Sequence, residues 1–435
     1  MRLKLVVALC LLAVCLSVSA QEAAQQDAWS WSHRLELRGD YRWSDNEVVN
    51  RPFPPGARLS TPDPGHAVEL NVADLELNLG YGDWIAARVK AHGYAKHRRN
   101  PTSNDKTADV DELWVRIGPR PEFLERPEHT TFFLQAGKFT KMERQPTRLL
   151  ESYGLAATSF NRFEDVQVLV GGTVGRSFYW RAQAANGNPL FMRDPNALAG
   201  DNGTPEELRG EVPEFGTGFP IFYNAETEDL FFETAHVQWG EGLGYRWQRD
   251  DQSAGFDVLL FHYKRELADR EELTGTIYGG DIDLIDRPLP FPTGPRGFVL
   301  HGRDKSETGG RVYAEWGQAT LIAQYTQQNI AGLKRDGSEV EIGYRLPWKF
   351  GVVQSIQPAA RWSRINNHFA PASGDVDPQF PAASLWWDWT KLDGGIRVGF
   401  PHGLDVTAEY TTHRAIAAAR VVHLREALVT IRWRS

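Results

Sequence analysis

Between residues 33 and 44 the chain alternates almost without interruption. His33, Leu35, Leu37, Gly39, Tyr41 and Trp43 fall on one face, and Arg34, Glu36, Arg38, Asp40, Arg42 and Ser44 on the other. Strand side chains point to opposite faces with a period of two, so this segment predicts a strand with one greasy and one charged side. The pattern returns along the chain. Leu321, Ala323 and Tyr325 alternate with Thr320, Ile322, Gln324 and Thr326, and Val340, Ile342, Tyr344 and Leu346 with Glu339, Glu341 and Arg345. Leu392, Ile396 and Val398 oppose Asp393 and Arg397, and Leu404, Val406, Ala408 and Tyr410 oppose Asp405, Thr407 and Glu409. The last residues, Ala427, Val429, Ile431 and Trp433 against Glu426, Thr430, Arg432 and Arg434, do the same. So many two-faced strands predict a closed barrel, its apolar faces in lipid and its charged faces around water.

The connections agree. Short turns at 80–83, 175–176, 240–242, 317–318, 347–349 and 401–403 are interleaved with long polar segments at 45–66, 97–108, 140–164, 186–229 and 365–391. Outer-membrane barrels have this asymmetry, with tight periplasmic turns and longer outside loops. The Pro- and Gly-rich stretch 286–297 also reads as a loop. The pattern gives seventeen candidate strands, whereas a barrel with both ends in the periplasm needs an even number. Either a weak strand lies at 274–283, giving eighteen, or one assignment between 230 and 265 falls away, giving sixteen. The expected fold class is all-β: a transmembrane antiparallel β-barrel of 16–18 strands with long extracellular loops and short periplasmic turns.

The start of the chain reads as an export signal. Arg2 and Lys4 precede the apolar run 5–16 and the small-residue site Val18-Ser19-Ala20. The expected organisation is a signal peptide at 1–20, a short periplasmic segment at 21–32 and the barrel at 33–435. Both cysteines, Cys10 and Cys15, lie in the signal, so cleavage after Ala20 leaves no thiol chemistry and no Cys-ligated metal. Loss of Arg2 and Lys4 also takes the net charge from −8 to −10. A mean hydropathy of −0.43 and no second long apolar run exclude a helical membrane protein. A barrel keeps that average because its lumen and loops are polar. The 15 tryptophans suit an interfacial belt. A secreted propeller or stacked sandwich would also alternate, but no blade-length repeat is found.

No catalytic signature is found. There is no Gly-Lys-Ser/Thr phosphate loop, no His-Glu-x-x-His and no Gly-x-Ser-x-Gly, and the acidic groups Asp109-Asp111-Glu112 and Asp281-Asp283-Asp286 lack calcium-loop spacing. No catalytic residue, metal or cofactor is expected, and no nucleic-acid partner. What stands out is a basic face. In the strand 84–96 the odd positions are apolar or small, and the even ones include Arg88, Lys90, His92 and Lys96. Same-face neighbours lie about 7 Å apart, so these charges form a ladder along the wall, and charged walls set pore selectivity. Arg34 and Arg38 join it on the first strand. The ladder either guides anions or pairs with lumenal acids such as Glu76 and Glu112. The connection 140–164 carries Lys141, Arg144 and Arg148 just after Lys138, and at this length it is a candidate for an inward fold that constricts the pore.

The order of features resembles the phosphate-selective porin O/P family. The residues that carry the likeness are Asp83-Trp84, Asp111-Glu112-Leu113-Trp114-Val115, Phe133-Leu134-Gln135-Ala136-Gly137-Lys138-Phe139, Glu151-Ser152 and Asn161-Arg162-Phe163-Glu164-Asp165. Gly310-Arg311-Val312-Tyr313-Ala314-Glu315-Trp316 and the closing stretch from Arg425 to Trp433 extend it over most of the chain. The resemblance implies a sixteen-stranded barrel, a homotrimer, an inward-folded loop and Arg/Lys ladders leading anions to a constriction. Arg88, Lys90, Lys96, Lys138, Lys141 and Arg144 would serve there. The expected function is passive diffusion of small polar or anionic solutes, phosphate-like anions among them, through the outer membrane of a Gram-negative cell. Two alternatives stay open: an export barrel for acidic polysaccharide, similar to alginate exporters, and an outer-membrane barrel enzyme or receptor.

Overall fold

The computed structural model describes residues 29–44, 49–50, 58–59, 65–82, 84–93, 108–121, 123–160, 164–185, 237–266, 304–330, 332–368, 388–417 and 420–435. Sixteen strands among these residues form one antiparallel sheet. They are β1 (Trp29–Ser44), β2 (Gly65–Tyr81), β3 (Ile85–Gly93), β4 (Ala108–Ile117), β5 (Thr131–Thr140), β6 (Glu164–Val174), β7 (Phe178–Ala185) and β8 (Gln238–Gln248). Then follow β9 (Ala254–Glu266), β10 (Asp304–Trp316), β11 (Ala319–Ile330), β12 (Leu333–Tyr344, resumed as Leu346–Phe350), β13 (Val353–Asn367), β14 (Asp388–Gly399), β15 (Leu404–Ala417) and β16 (Arg420–Arg434). Each strand pairs with the next, and β1 pairs with both β2 and β16, so the sheet has no edge. In hydrocarbon an unpaired backbone group costs several kcal/mol, and closure is the one way a sheet avoids that cost. The last residue secures the seam: Ser435 N donates to Leu35 O at 3.0 Å, and Leu35 N donates to Ser435 Oγ at 2.9 Å.

The two faces fall as the alternation demands. Glu36, Arg38, Asp40 and Arg42 point inward and are buried, while Leu37 and Tyr41 between them are exposed on the outside. Ile342, Leu392, Ile396 and Ile431 stand on the same outer surface. Aromatic side chains ring it at two levels, with Trp29, Trp84, Phe178 and Trp316 toward the end where β1 starts and β16 finishes, and Trp239, Trp362 and Tyr410 toward the other. Such girdles mark the two membrane interfaces. The turn before β16's partner strand shows why glycine is needed there: Gly403 has φ 73°, and a Cβ on it would sit 1.9 Å from Arg434 O.

Four sequence expectations shift. Strand β1 starts at Trp29, ahead of residue 33, and residues 1–28 with the expected signal lie outside the described residues. The expected turn at 240–242 is instead the interior of β8. Its glycines face inward and leave room for large neighbours: a Cβ on Gly240 would lie 2.3 Å from the Tyr263 ring, and one on Gly244 would lie 2.0 Å from that of Tyr179. Removing that turn removes the surplus strand, whereas 274–283 lies outside the described residues. The turn expected at 347–349 moves to Gly351, at φ 60°, because β12 resumes through Pro347 and Trp348.

Candidate functional site

The connection after β5 does not stay outside. Residues 141–160 run down into the barrel and along the inner wall, and the short helix α1 (Leu155–Ser159) lies against β12 and β13. A segment inside a lumen has no sheet partner, so its N–H groups must find acceptors elsewhere. The wall supplies carboxylates. Leu149 N and Leu150 N both donate to Glu341 Oε1 at 2.7 Å, Ser152 N donates to Glu409 Oε2 at 3.1 Å, and Ala157 N donates to Glu339 Oε2 at 3.3 Å. Glu151 N also donates to Glu409. In return Arg361 donates to Ser152 O at 2.8 Å and Lys391 to Tyr153 O at 2.6 Å.

One side chain ties the loop to three strands. Glu151 is buried and receives Arg38 of β1 at 3.2 Å, Arg397 of β14 at 2.6 Å and Arg432 of β16 at 2.7 Å. Burial alone would raise its carboxyl, but the guanidiniums of Arg432, Arg38 and Arg397 outweigh that and hold it down to about 2. Three cations around one desolvated anion form a network in which each member depends on the others.

A second connection enters from the opposite end. Between β4 and β5 the chain brings Phe123 and Leu124 into the lumen, where Leu124 packs with Leu149, Leu150, Tyr313, Ile322 and Ala359. Leu124 holds φ 62°, a conformation that costs a non-glycine residue roughly 1–2 kcal/mol. Burial of its side chain returns about 1.5–3 kcal/mol. Arg126 donates to Gln248 O and Arg246 to Glu125 O, each at 2.9 Å, which fixes this connection to β8. The two inward segments therefore meet in a small apolar core inside a polar barrel.

With that filling against β8–β15, the inward side chains there are buried, Asp257, Arg265, Glu307, Arg335, Arg361 and Asp393 among them. Most inward residues of β2–β4 are only half-buried, Val72 and Trp114 excepted. The sequence-predicted ladder stands on this more open wall, and its cations are paired. Arg88 donates to Asn78 at 2.7 Å and lies 3.7 Å from Glu76 and 3.5 Å from Glu112, with its guanidinium over the Trp114 ring at 5.4 Å. Lys90 sits between Asp111 at 2.8 Å and Asp74 at 3.0 Å, and Arg34 is 3.9 Å from Glu76. Asp74, His92 and Asp111 gather potential metal-ligand atoms within 4.8 Å of one another, but the Lys90 ammonium already supplies the positive charge there. Lys96 lies outside the described residues.

The other expected residues are dispersed. Arg38 belongs to the Glu151 network rather than to the open wall. Lys138 is on β5, not in the loop, with its ammonium 3.9 Å from Asp109. Lys141 is buried against Tyr263, 5.0 Å from the ring centroid, and donates to Gln238 at 3.3 Å. Arg144 bonds Glu164 at 2.5 Å, and Arg148 covers the Tyr153 ring at 3.9 Å. Sequence reasoning missed Glu151 as the hub, its partners Arg397 and Arg432, and the acceptors Glu339, Glu341 and Glu409. All but Glu151 were legible as inward positions, but only the closed barrel brings them to the loop.

No protein-family model matches the chain, and no curated protein matches its sequence. Solved structures do. The chain is similar to the outer membrane channel DcaP of Acinetobacter baumannii, with a TM-score of 0.52 and 8% identity over 95% of this chain and 100% of that one. It is also similar to OprB of Pseudomonas putida, with a TM-score of 0.51 and 10% identity over 93% of this chain and 94% of that one. At this identity the likeness is one of fold. The chain is a closed sixteen-stranded antiparallel barrel with the fold of these outer-membrane proteins, and its place is the outer membrane.

Proposed function

We propose that this barrel is a water-filled channel for passive diffusion of small polar or anionic solutes, without catalysis. The observation that carries the reading is the division of the lumen: one wall covered by the tethered loop, the other, on β2–β4, left half-buried and lined with charge. Both fold neighbours, DcaP, whose description is a channel, and OprB, are consistent with it. Residues 1–20 serve in this reading as the export signal, and three copies assemble in the membrane.

Charge pairing on the open wall bears on selectivity. Selectivity for phosphate-like anions, which the resemblance to phosphate-selective porins implies, needs a field that reaches the solute. On β3 the fields of Arg88 and Lys90 are largely spent on Glu76, Glu112, Asp74 and Asp111, so the reading we favour is a modest preference. The double substitution Arg88→Glu with Lys90→Glu would leave those four carboxylates unopposed and add two more. Reversal potential in a salt gradient is expected to move strongly toward cations. An unchanged potential at normal conductance would remove the β3 wall from the conduction path.

A further inference from the structure

We propose that the outer ends of β13–β16 form a site for the phosphate groups of an outer-leaflet lipid headgroup. Four exposed, outward-facing residues make it: Arg364 on β13, Arg414 on β15, and His423 and Arg425 on β16. The strand register sets three of them in one row, because Arg364 opposes Thr390, Thr390 opposes Arg414, and Arg414 opposes His423. Arg425 follows two positions below His423 on the same face, opposite Thr412. Paired strands lie about 4.8 Å apart, so the row spans roughly 14 Å, a width suited to one headgroup bearing more than one phosphate.

Depth selects the ligand. Along β13 the outward residues run Pro358, Ala360, Trp362 and then Arg364, and along β16 they run Ile431, Val429, Ala427 and then Arg425 and His423. The basic residues begin where the apolar band ends, and Trp362 and Tyr410 mark the interface beside them. That is the level of the headgroups on the side away from the start of β1 and the end of β16. Among the described residues no ion pair or hydrogen bond engages the guanidinium of Arg364, Arg414 or Arg425. The nearby outward acids are occupied elsewhere: Asp336 by His368 and by Asn366 at 3.0 Å, and Asp388 by Asn367 N at 2.8 Å. The inward Asp393, Glu409 and Glu426 face the lumen on the other side of the sheet and are buried. Arginine forks match phosphate oxygens in pairs, and the row is continuous with the lipid-contacting surface, so a lipid phosphate is the occupant it fits.

The test is retention of lipid by the folded barrel in neutral detergent, read by native mass spectrometry. Three probes are compared: a bis-phosphorylated glucosamine-disaccharide lipid, the same lipid without phosphate, and phosphatidylcholine. The wild type is expected to retain the first in preference to the other two, and excess inorganic phosphate is expected not to displace it. The triple variant Arg364→Gln, Arg414→Gln, Arg425→Gln should weaken retention about a hundredfold, each arginine near the surface contributing about fivefold. Arg414→Gln alone should show its single share, and it keeps the test open should the triple variant fail to reach the folded mobility on an unboiled gel. Channel conductance should be unaffected, because none of these side chains faces the lumen. Equal retention of the phosphate-free lipid, undiminished retention by the folded variants, or displacement by inorganic phosphate would each overturn the lipid site while leaving the channel reading intact.

Discussion

Replacing Glu151 by Ala is expected to loosen the inward loop from the wall and raise single-channel conductance, with noisier open currents. The substitution leaves Arg38, Arg397 and Arg432 without their shared anion. Removing one partner of a buried ion pair costs about 3–5 kcal/mol, because the remaining charge stays desolvated. Glu151 takes no part in the strand pairing, so the barrel itself should fold and keep its unboiled gel mobility. Planar-bilayer recording checks the prediction, and wild-type current with wild-type noise would refute it. Acid gives the same answer by another route. The Glu151 carboxyl is held from the usual 4.5 down to about 2, so its stabilisation is complete above about pH 4.5 and fades as pH falls toward 2. That shift amounts to about 3 kcal/mol. Conductance should therefore be level from about pH 7 to 5 and rise only in strong acid.

The second large effect belongs to the outer surface. Ile342→Arg puts a guanidinium on the lipid face of β12, where the native side chain is half exposed to hydrocarbon at 53%. A cation near the bilayer midplane of a barrel costs about 2–4 kcal/mol. The expected result is a drop of that size in the unfolding free energy of the reconstituted barrel, measured by urea titration in lipid vesicles. Thr320→Arg, on the half-buried lumen side of β11 opposite Glu315, is the matched control and should cost little. Equal losses at the two positions would contradict the assigned faces.

Strand existence and facing were legible because a two-residue period leaves no ambiguity once one face must meet lipid. Ile342, Leu392 and Ile431 stand outside, and Glu341, Asp393 and Arg432 inside, as the alternation demands. Glycine misled at 240–242 for a physical reason. There it clears space for Tyr263 and Met142 within a strand, and composition alone reads the same residues as a turn. The ladder of Arg88 and Lys90 was visible as a run of charges, but its neutralisation depends on which carboxylates β2 and β4 bring alongside. The Glu151 network was harder still. Its arginines lie up to 281 positions from Glu151, and their meeting requires both closure of β1 on β16 and the inward course of a loop that has no periodicity to read.

The contact of Leu124 with Leu149 and Leu150 joins segments that start from opposite sides of the membrane. Neither can reach the other until the wall exists around them, so this dry patch at the heart of a wet cylinder must be the final piece set in place. Assembly then has two separable stages, membrane insertion of the staves and a later locking of the interior. Leu124→Gly, which also relieves the left-handed backbone, should leave the first stage at its normal rate and delay protease protection of 141–160 in the second. A change in insertion rate would show instead that the interior begins to set while the cylinder is still open.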